Sequence, residues 1–254
     1  MPKILAIIQA RMSSERLPRK VLEYFSGDTT IGHIVRRVRL SKYIDEVVVA
    51  TGDINKNQAL IDYCAKQQIK CFAGCEDDVL DRFYNVMQAL SPSYIVRVTA
   101  DDPFKDPEII DLAISHILAD SELDYVSNTL IPTYPEGLDI EVFKSSALEL
   151  AHKSAKLMTE REHVTPYIWK NVDKFKILNF KNDDDLSNLR WTVDYPEDLE
   201  FVKMVYKHFE TMKMFYMLDI LDFINDNPEI SRTSKNVIRN QGYLKGLKNE
   251  VSQD

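Results

Sequence analysis

Residues 4–20 read ILAIIQARMSSERLPRK, and this segment organises the rest of the chain. It begins as an apolar run of strand length and continues as a polar loop. In open α/β sheets, ligands bind beyond the carboxyl ends of the strands. Cations that follow one another closely repel each other unless an anion lies between them, so the loop predicts a polyphosphate site. The cations of this loop are Arg11, Arg16, Arg19 and Lys20.

Neither of the common glycine-rich phosphate loops occurs in this segment. The patterns G-x-x-x-x-G-K-[ST] and G-x-G-x-x-G are absent, and no glycine stands between Met1 and Lys20. Side chains must therefore provide most of the contacts with a phosphate group. The alternative is a basic surface turn, because runs of charge are usually solvated.

The composition indicates an ordinary globular protein. The chain has 254 residues, 44% of them hydrophobic, and a net charge of −8, which argues against a nucleic-acid or anionic-membrane partner. No apolar stretch reaches transmembrane length, and the amino terminus lacks a signal-peptide pattern. The three cysteines lack zinc-site spacing and indicate reduced thiols. We therefore expect a single cytoplasmic domain over residues 1–254.

Strand-like and helix-like patterns alternate along the first half of the chain. This rhythm predicts a mostly parallel sheet, with strands at residues 4–9, 46–51, 69–74 and 94–99. After residue 128 the rhythm changes, and residues 140–143 alternate like a half-exposed antiparallel strand. The expected fold is therefore an α/β three-layer sandwich with a mostly parallel sheet and an antiparallel excursion in the middle of the chain.

Two further expectations concern single segments. In the helix that contains residues 31–38, the apolar residues share one face, so Arg36, Arg37 and Arg39 are expected to be solvated. Residues 189–194 read LRWTVD and predict another strand, which ends at Asp194.

Acidic residues followed by a proline occur at the ends of two predicted strands. Asp101, Asp102 and Pro103 end the strand at 94–99, and Asp194 stands two residues before Pro196. Two distant aspartates at the carboxyl ends of strands can converge on one cation, and Mg²⁺ takes one or two carboxylates together with substrate phosphates. The alternative is a turn, since Asp-Asp-Pro is common turn chemistry.

The run A-R-M-S-S-x-R-L-P-x-K at 10–20 resembles the signature of nucleotidyltransferases with a glycosyltransferase-A-like fold. It is most similar to the cytidylyltransferase group that includes spore coat polysaccharide biosynthesis protein F. Similarity to the acylneuraminate and 3-deoxy-manno-octulosonate cytidylyltransferases is more distant. Other motifs of the family follow in its order: G-x-x-x-D-V-L-x-R-F at 74–83, D-x-P at 101–103, P-x-G-L-D-x-E-V-F at 135–143 and R-E-H-V-T-P-Y at 161–167. Arg19 and Ala100 stand where the family usually has glycine.

The resemblance implies a role for individual residues of this chain. The implied catalytic cations, which would neutralise charge on the phosphates, are Arg11, Arg16 and Lys20. The implied nucleotide-binding residues are Ala10, Ser13, Gly74, Asp78 and Arg82. The implied acceptor-binding residues are Gly137, Asp139, Glu141 and His163. The implied ligands of Mg²⁺ are Asp101 and Asp194. Two alternatives stay open: Arg82 as an ion-pair partner and His163 as a packed or capped histidine.

The function implied by this resemblance is Mg²⁺-dependent transfer of a cytidylyl group from CTP to an acidic sugar, with release of pyrophosphate, in surface polysaccharide synthesis. A homodimer is expected, with residues 130–175 forming the acceptor and dimer region. The polar, basic tail at 227–254 is expected to pack near the site. The alternatives are a sugar-1-phosphate nucleotidyltransferase, a glycosyltransferase that uses a nucleotide-sugar, and a non-catalytic nucleotide-binding module.

Overall fold

A computed structural model describes residues 2–14, 16–233 and 239–251 of the chain. Strands and helices alternate in its first half, as the sequence pattern predicts. The elements are β1 (Ile4–Gln9), the hairpin strands β2 (Tyr24–Phe25) and β3 (Asp28–Thr29), α1 (Thr30–Val38), β4 (Glu46–Thr51), α2 (Ile54–Lys66), β5 (Lys70–Ala73), α3 (Val79–Leu90), β6 (Tyr94–Thr99) and α4 (Pro107–Ala119).

The second half of the chain contains shorter strands and more helices. Its elements are β7 (Tyr125–Ser127), β8 (Glu141–Lys144), α5 (Ser145–Ser154), α6 (Met158–His163), α7 (Pro166–Lys170), β9 (Ile177–Asn179), α8 (Pro196–His208), α9 (Met217–Asp226) and α10 (Gln241–Val251). Within the described residues, no helix is both long and apolar enough to cross a membrane.

The main sheet has seven strands in the order β5-β4-β1-β6-β8-β7-β9. The adjacent pairs β5–β4, β4–β1 and β1–β6 are parallel, and β8 runs antiparallel to both β6 and β7. The pair β7 and β9 is again parallel. The mostly parallel sheet with an antiparallel excursion in the middle of the chain is therefore confirmed.

The apolar run of β1 is explained by burial on both of its faces. Successive side chains of a strand point to opposite faces of the sheet. Ile4, Ala6 and Ile8 accordingly pack into one hydrophobic core, whereas Leu5 and Ile7 pack into the other. Parallel strands that are covered by helices on both faces have such continuous apolar runs. The two cores and the sheet between them make up the three layers.

Polar caps begin the helices that follow the hairpin and the parallel strands. Thr29, Asp53, Asp78 and Asp106 are the N-cap residues of α1, α2, α3 and α4. Each side chain accepts a hydrogen bond from a backbone N–H group in the first turn. Such caps satisfy N–H groups that have no partner within the helix.

The strand predicted at residues 189–194 is wrong as a member of the sheet. Residues 189 and 190 form only isolated bridges, to Thr233 and to Glu136. The segment packs against the loop around Gly137, where an added Cβ would lie 2.8 Å from the backbone carbon of Trp191. Its apolar side chains are buried in the core, which explains why the sequence resembles a strand.

The predicted solvation of Arg37 is also wrong. Arg37 is only 2% exposed, and its guanidinium group donates to the carbonyl oxygens of Lys105 (2.7 Å) and Phe215 (2.8 Å). Arg36 and Arg39 are exposed, as expected. The face of a helix that periodicity marks as polar is therefore covered here by another part of the chain.

Candidate functional site

A cavity of about 1350 Å³ lies at the carboxyl edge of the parallel strands. The cavity is lined by the loop after β1, by the residues that follow β6 and by helices α6 and α10. The predicted residues that line this cavity are Ala10, Arg11, Ser13, Arg16, Lys20, Arg82, Asp101, His163 and Asp194.

Lys20 lies between the two predicted metal ligands. Its Nζ donates to Asp101 Oδ2 and to Asp194 Oδ1, each at 3.0 Å, and to the carbonyl oxygen of Val193 at 2.7 Å. Arg16 forms a second ion pair with Asp194, at 2.7 Å. The basic residues from the start of the chain and the two distant aspartates thus meet on one side of the sheet.

These contacts keep the groups charged at neutral pH. Burial alone would lower the pKa of Lys20, but the charges of Asp101 and Asp194 outweigh burial and raise it. Burial would likewise raise the pKa of Asp194, but Lys20 and Arg16 outweigh burial and hold the pKa at about 2. The site therefore presents an ammonium group and two carboxylates.

Arg190 holds the carboxylate of Asp194 in place, and the sequence motifs did not single this arginine out. Its guanidinium group donates to Asp194 Oδ2 at 2.8 Å and to Glu136 Oε2 at 2.6 Å. The backbone N–H of Asp194 donates to Asp198. Oδ2 is therefore held by Arg190, and Oδ1 faces Lys20 and Arg16. An arginine within a strand-like run carries no sequence signal for this contact.

The loop after β1 is anchored by two polar residues that the sequence reading missed. Asn57, which is buried, accepts a hydrogen bond from the N–H of Met12 at 2.8 Å. Glu76 accepts from the Ser13 hydroxyl at 2.7 Å and from the Asn57 amide at 3.0 Å. Glu76 lies within the motif at 74–83, so its acidic side chain two residues after Gly74 was the available signal.

The predicted nucleotide-binding residues fall into two groups. Ala10, Ser13 and Arg82 line the cavity, and Gly74 and Asp78 do not. Asp78 caps α3 and accepts from Arg161 Nε at 2.9 Å, so both of its oxygens have intramolecular partners. Gly74 leaves room for Arg82, because an added Cβ would lie 2.8 Å from Arg82 Cγ.

Arg82 is a buried cation beside the cavity. It is 5% exposed, and among the described residues no carboxylate forms an ion pair with it. Its Nε has no hydrogen-bond partner within that part of the chain. Buried polar groups normally have partners, so Arg82 has hydrogen-bonding capacity available for a ligand.

Three of the four predicted acceptor residues lie outside this cavity. Glu141 is buried, and its carboxylate accepts from Tyr125 and Thr165, each at 2.6 Å, and pairs with Arg97. Asp139 pairs with Arg239. Gly137 has a φ angle of +110° and lies close to Trp191, so the backbone requires glycine at this position for structural reasons.

His163 lines the cavity as a neutral imidazole. Burial, followed by the charge of Arg97, lowers the pKa of His163 to about 4. Its Nε2 is buried and has no hydrogen-bond partner among the described residues. Its ring packs edge-on against Tyr243 of α10, with the ring centroids 5.2 Å apart. His163 is therefore a packed histidine that also retains a free nitrogen.

Helix α10 forms one wall of the cavity. Arg16 Nη1 donates to Gln241 Oε1 at 2.9 Å, which links the loop after β1 to this helix. Glu250 accepts from the N–H and the hydroxyl of Thr159 at 2.7 and 3.0 Å. The prediction that the tail packs near the site is borne out for residues 241–250, and residues 234–238 and 252–254 lie outside the described residues.

The arrangement has the chemistry of a polyphosphate site with a place for a hard cation. Asp101 and Asp194 converge on a single positive charge, which shows that both can contact one cation. Among the described residues, no group of three or more acidic, histidine or cysteine side chains could hold a metal. Two carboxylates that need phosphate oxygens to complete the shell suit Mg²⁺.

Comparison with known proteins agrees with this chemistry. The family model described as Cytidylyltransferase matches residues 5–231. The chain is 37% identical to the uncharacterised protein MJ1063 of Methanocaldococcus jannaschii, covering 95% of this chain and 98% of that protein. It is 34% identical to spore coat polysaccharide biosynthesis protein SpsF of Bacillus subtilis, covering 90% and 97%.

Solved structures show the same likeness. A cytidylyltransferase from Leptospira borgpetersenii superposes with a TM-score of 0.87 at 33% identity, covering 94% of this chain and 99% of that chain. The fold is also that of CMP:2-keto-3-deoxy-manno-octonic acid synthetase, with a TM-score of 0.63 at 20% identity over 81% of this chain and 99% of the other.

Proposed function

The chain belongs to the cytidylyltransferase family, and from this premise we propose that it transfers a cytidylyl group from CTP to an acidic sugar, with Mg²⁺ as cofactor. An acceptor hydroxyl oxygen bonds to the α-phosphorus and loses its proton to solvent, the bond from the α-phosphorus to the bridging oxygen breaks, and pyrophosphate leaves. One observation carries this proposal above all others. At the carboxyl edge of the sheet, Lys20 contacts both Asp101 and Asp194 at 3.0 Å, and Arg16 contacts Asp194 at 2.7 Å.

Each group at the site has a proposed task. Arg11, Arg16 and Lys20 neutralise the charge that accumulates on the α-phosphate and on the leaving pyrophosphate. Such preorganised charge is the largest contribution in many enzymes. Asp101 and Asp194 hold the metal, which supplies Lewis-acid stabilisation of phosphate oxygens when it is bound. Arg82 and Ser13 contact the nucleotide, and His163 contacts the acceptor.

The names of two relatives support the proposed acceptor. SpsF bears the name of a spore coat polysaccharide biosynthesis protein. A 3-deoxy-manno-octulosonate cytidylyltransferase of Geobacter metallireducens is 31% identical over 48% of this chain and 47% of that protein. These names support an acidic sugar and a place in surface polysaccharide synthesis.

The cysteines support a cytoplasmic setting for the proposed reaction. The three cysteines, Cys64, Cys71 and Cys75, are free, which suits a reducing cytoplasm. We propose one nucleotidyltransferase domain over residues 1–254, with residues 130–175 forming the acceptor region and the contact of a homodimer. Sedimentation of the purified full chain tests the dimer.

Pyrophosphate release tests the reaction itself. The full-length protein is incubated with Mg²⁺, each of the four nucleoside triphosphates and a panel of acidic sugars. Release with CTP and a free sugar supports the proposal, and release that requires a sugar 1-phosphate favours that class of nucleotidyltransferase. Release of a nucleoside diphosphate from a nucleotide-sugar favours a glycosyltransferase. No release with any pair favours a non-catalytic binding module.

Two substitutions test the residues that carry the proposal. We expect Lys20→Ala to lower kcat at least about a hundredfold, because one well-placed charged donor contributes about 3–4 kcal/mol. We expect a similar loss in Asp101→Ala, because the metal would lose one of its two carboxylates. Lys153→Ala and Asp62→Ala are the matched controls, since both residues form exposed contacts within single helices. A folded Lys20 or Asp101 variant with the kcat of its control would remove that residue from the mechanism.

A further inference from the structure

Every N–H bond of Lys20 is already used inside the protein. An ammonium group has three donors, and those of Lys20 point to Asp101, to Asp194 and to the carbonyl oxygen of Val193 at 3.0, 3.0 and 2.7 Å. The residue is 9% exposed, so little water reaches it. Lys20 must therefore release at least one of these partners before it can donate to a phosphate oxygen.

The ion pairs around Asp194 form a connected network whose charges balance. Four acidic and four basic groups take part, and each acid pairs with at least one base at 3.6 Å or less. The acids are Asp101, Glu136, Asp194 and Asp198, and the bases are Arg16, Lys20, Arg190 and Arg232. The network therefore has no net negative charge that would attract a free divalent cation.

Lys20 and a divalent metal that bound both carboxylates would compete for Asp194 Oδ1. The Nζ contacts Asp101 Oδ2 and Asp194 Oδ1, and Asp194 Oδ2 is already occupied by Arg190. Two cations at this position would repel each other strongly, because the surroundings are largely buried. Lysine has a flexible four-carbon stem, so its ammonium group can move. The planar guanidinium group of Arg190 is held by hydrogen bonds to two carboxylates and cannot move in this way.

We propose that Lys20 withholds Asp101 and Asp194 from a divalent metal until a nucleoside triphosphate draws its ammonium group away. The phosphate oxygens supply the negative charge that the balanced network lacks. They give Lys20 a new partner and give the metal the remaining ligands of its shell. Lys20 has this role only if Asp101 and Asp194 are the metal ligands, as the proposed function holds. Metal and triphosphate therefore bind together.

Titration of the nucleotide-free, full-length protein with MnCl₂ tests this role by calorimetry. We expect Lys20→Met to bind Mn²⁺ at least about tenfold more tightly than the wild type, because the variant leaves the network with a net negative charge. Lys20→Arg is the matched control that keeps the charge, and it should bind as weakly as the wild type. Adding Asp101→Asn to Lys20→Met should abolish the gain.

Lys20→Gln provides a second neutral variant that can still donate to one carboxylate, and circular dichroism verifies folding of each protein. Folded Lys20→Met and Lys20→Gln variants that bind Mn²⁺ no more tightly than the wild type would overturn the proposal that Lys20 competes with the metal. That result, combined with metal-dependent pyrophosphate release by the wild type, leaves the proposed reaction intact. Tighter Mn²⁺ binding without pyrophosphate release from any triphosphate would contradict the reaction and leave the competition standing.

Discussion

Arg190 shows how a residue can shape the site without lining the cavity. Its side chain is 1% exposed, and a buried charge is costly unless it is paired and hydrogen-bonded. Glu136 and Asp194 meet that condition with contacts of 2.6 and 2.8 Å. Because one guanidinium group holds both carboxylates, the direction of Asp194 is fixed before any ligand binds.

Arg19 departs from the family at a position where the backbone explains the usual glycine. Its φ angle is +64°, in the left-handed region that costs a side-chain-bearing residue about 1–2 kcal/mol. The N–H of Arg19 donates to the carbonyl oxygen of Met12, which closes the loop. The loop thus takes the conformation that glycine favours, although the chain has arginine there.

His33 gives a prediction for acid stability. Burial lowers its pKa to about 4, from an ordinary value of 6.5. Between these values the unfolded chain binds more protons than the folded one, so stability falls as the pH is lowered from about 6.5 towards 4. The lowered pKa of His33 makes the free energy of unfolding about 3 kcal/mol lower at pH below 4 than at pH above 6.5. We expect His33→Gln to flatten this pH dependence in urea unfolding experiments.

His163→Gln is the matched comparison, because the pKa of His163 is also lowered to about 4. The two single variants should each remove part of the slope between pH 4 and 6.5, and the double variant should remove the sum. An unchanged slope in His33→Gln would mean that His33 is protonated in the folded protein as readily as in the unfolded chain.

At the scale of elements, helix α10 depends on one close approach to α6. An added Cβ at Gly246 would lie 2.7 Å from Thr159 Cγ2. Thr159 is β-branched and its hydroxyl is held by Glu250, so its side chain has little freedom to move. Glycine lowers the intrinsic stability of a helix, and here it is what allows the two helices to pack.

We expect Gly246→Leu to displace α10 from α6 and so open the wall of the cavity. Hydrogen exchange in residues 241–251 should become at least about tenfold faster, because the contacts of Glu250 with Thr159 are lost. In the proposed reaction the KM for the acceptor should rise. Gly242→Ala is the matched control, since its Cβ would lie 3.9 Å from His163 Cε1, an ordinary contact. Equal exchange in both variants would show that α10 does not depend on this approach.

At the scale of the whole molecule, Arg37 joins segments that are far apart in the sequence. Its side chain extends from α1 to the carbonyl oxygens of Lys105 and Phe215, and its guanidinium carbon lies 4.6 Å from the Phe215 ring centroid. These contacts connect the first helix with the loop after β6 and with the segment before α9. The connection lies within the core and away from the cavity.

We expect Arg37→Met to lower the free energy of unfolding by about 2–4 kcal/mol, because two buried carbonyl oxygens lose a charged donor. Urea denaturation measures this change. Arg39→Met is the control on the same helix end, where the side chain is exposed, and it should stay within about 0.5 kcal/mol of the wild type. Equal effects of the two substitutions would contradict the buried role of Arg37.

Local patterns were enough to predict the alternation of strands and helices and the edge at which Asp101 lies. They failed for residues whose role depends on a partner. The acidic residues of the motif at 74–83 did not reveal that Asp78 pairs with Arg161. Those of the motif at 135–143 did not reveal that Glu141 accepts hydrogen bonds from Tyr125 and Thr165. A carboxylate that binds a ligand and one that is satisfied within the protein look alike in a sequence.

The sequence by itself determined that a buried β1 delivers a cationic loop to the carboxyl edge of a parallel sheet. Hydrophobic period and capping chemistry are local properties, so they can be read from neighbouring residues. Only the tertiary structure decided that Lys20 bridges Asp101 and Asp194, 174 positions from the latter. It also decided that Arg190 holds Asp194 together with Glu136. These contacts form when the packed core brings remote segments together, and no local pattern encodes which side chains then meet.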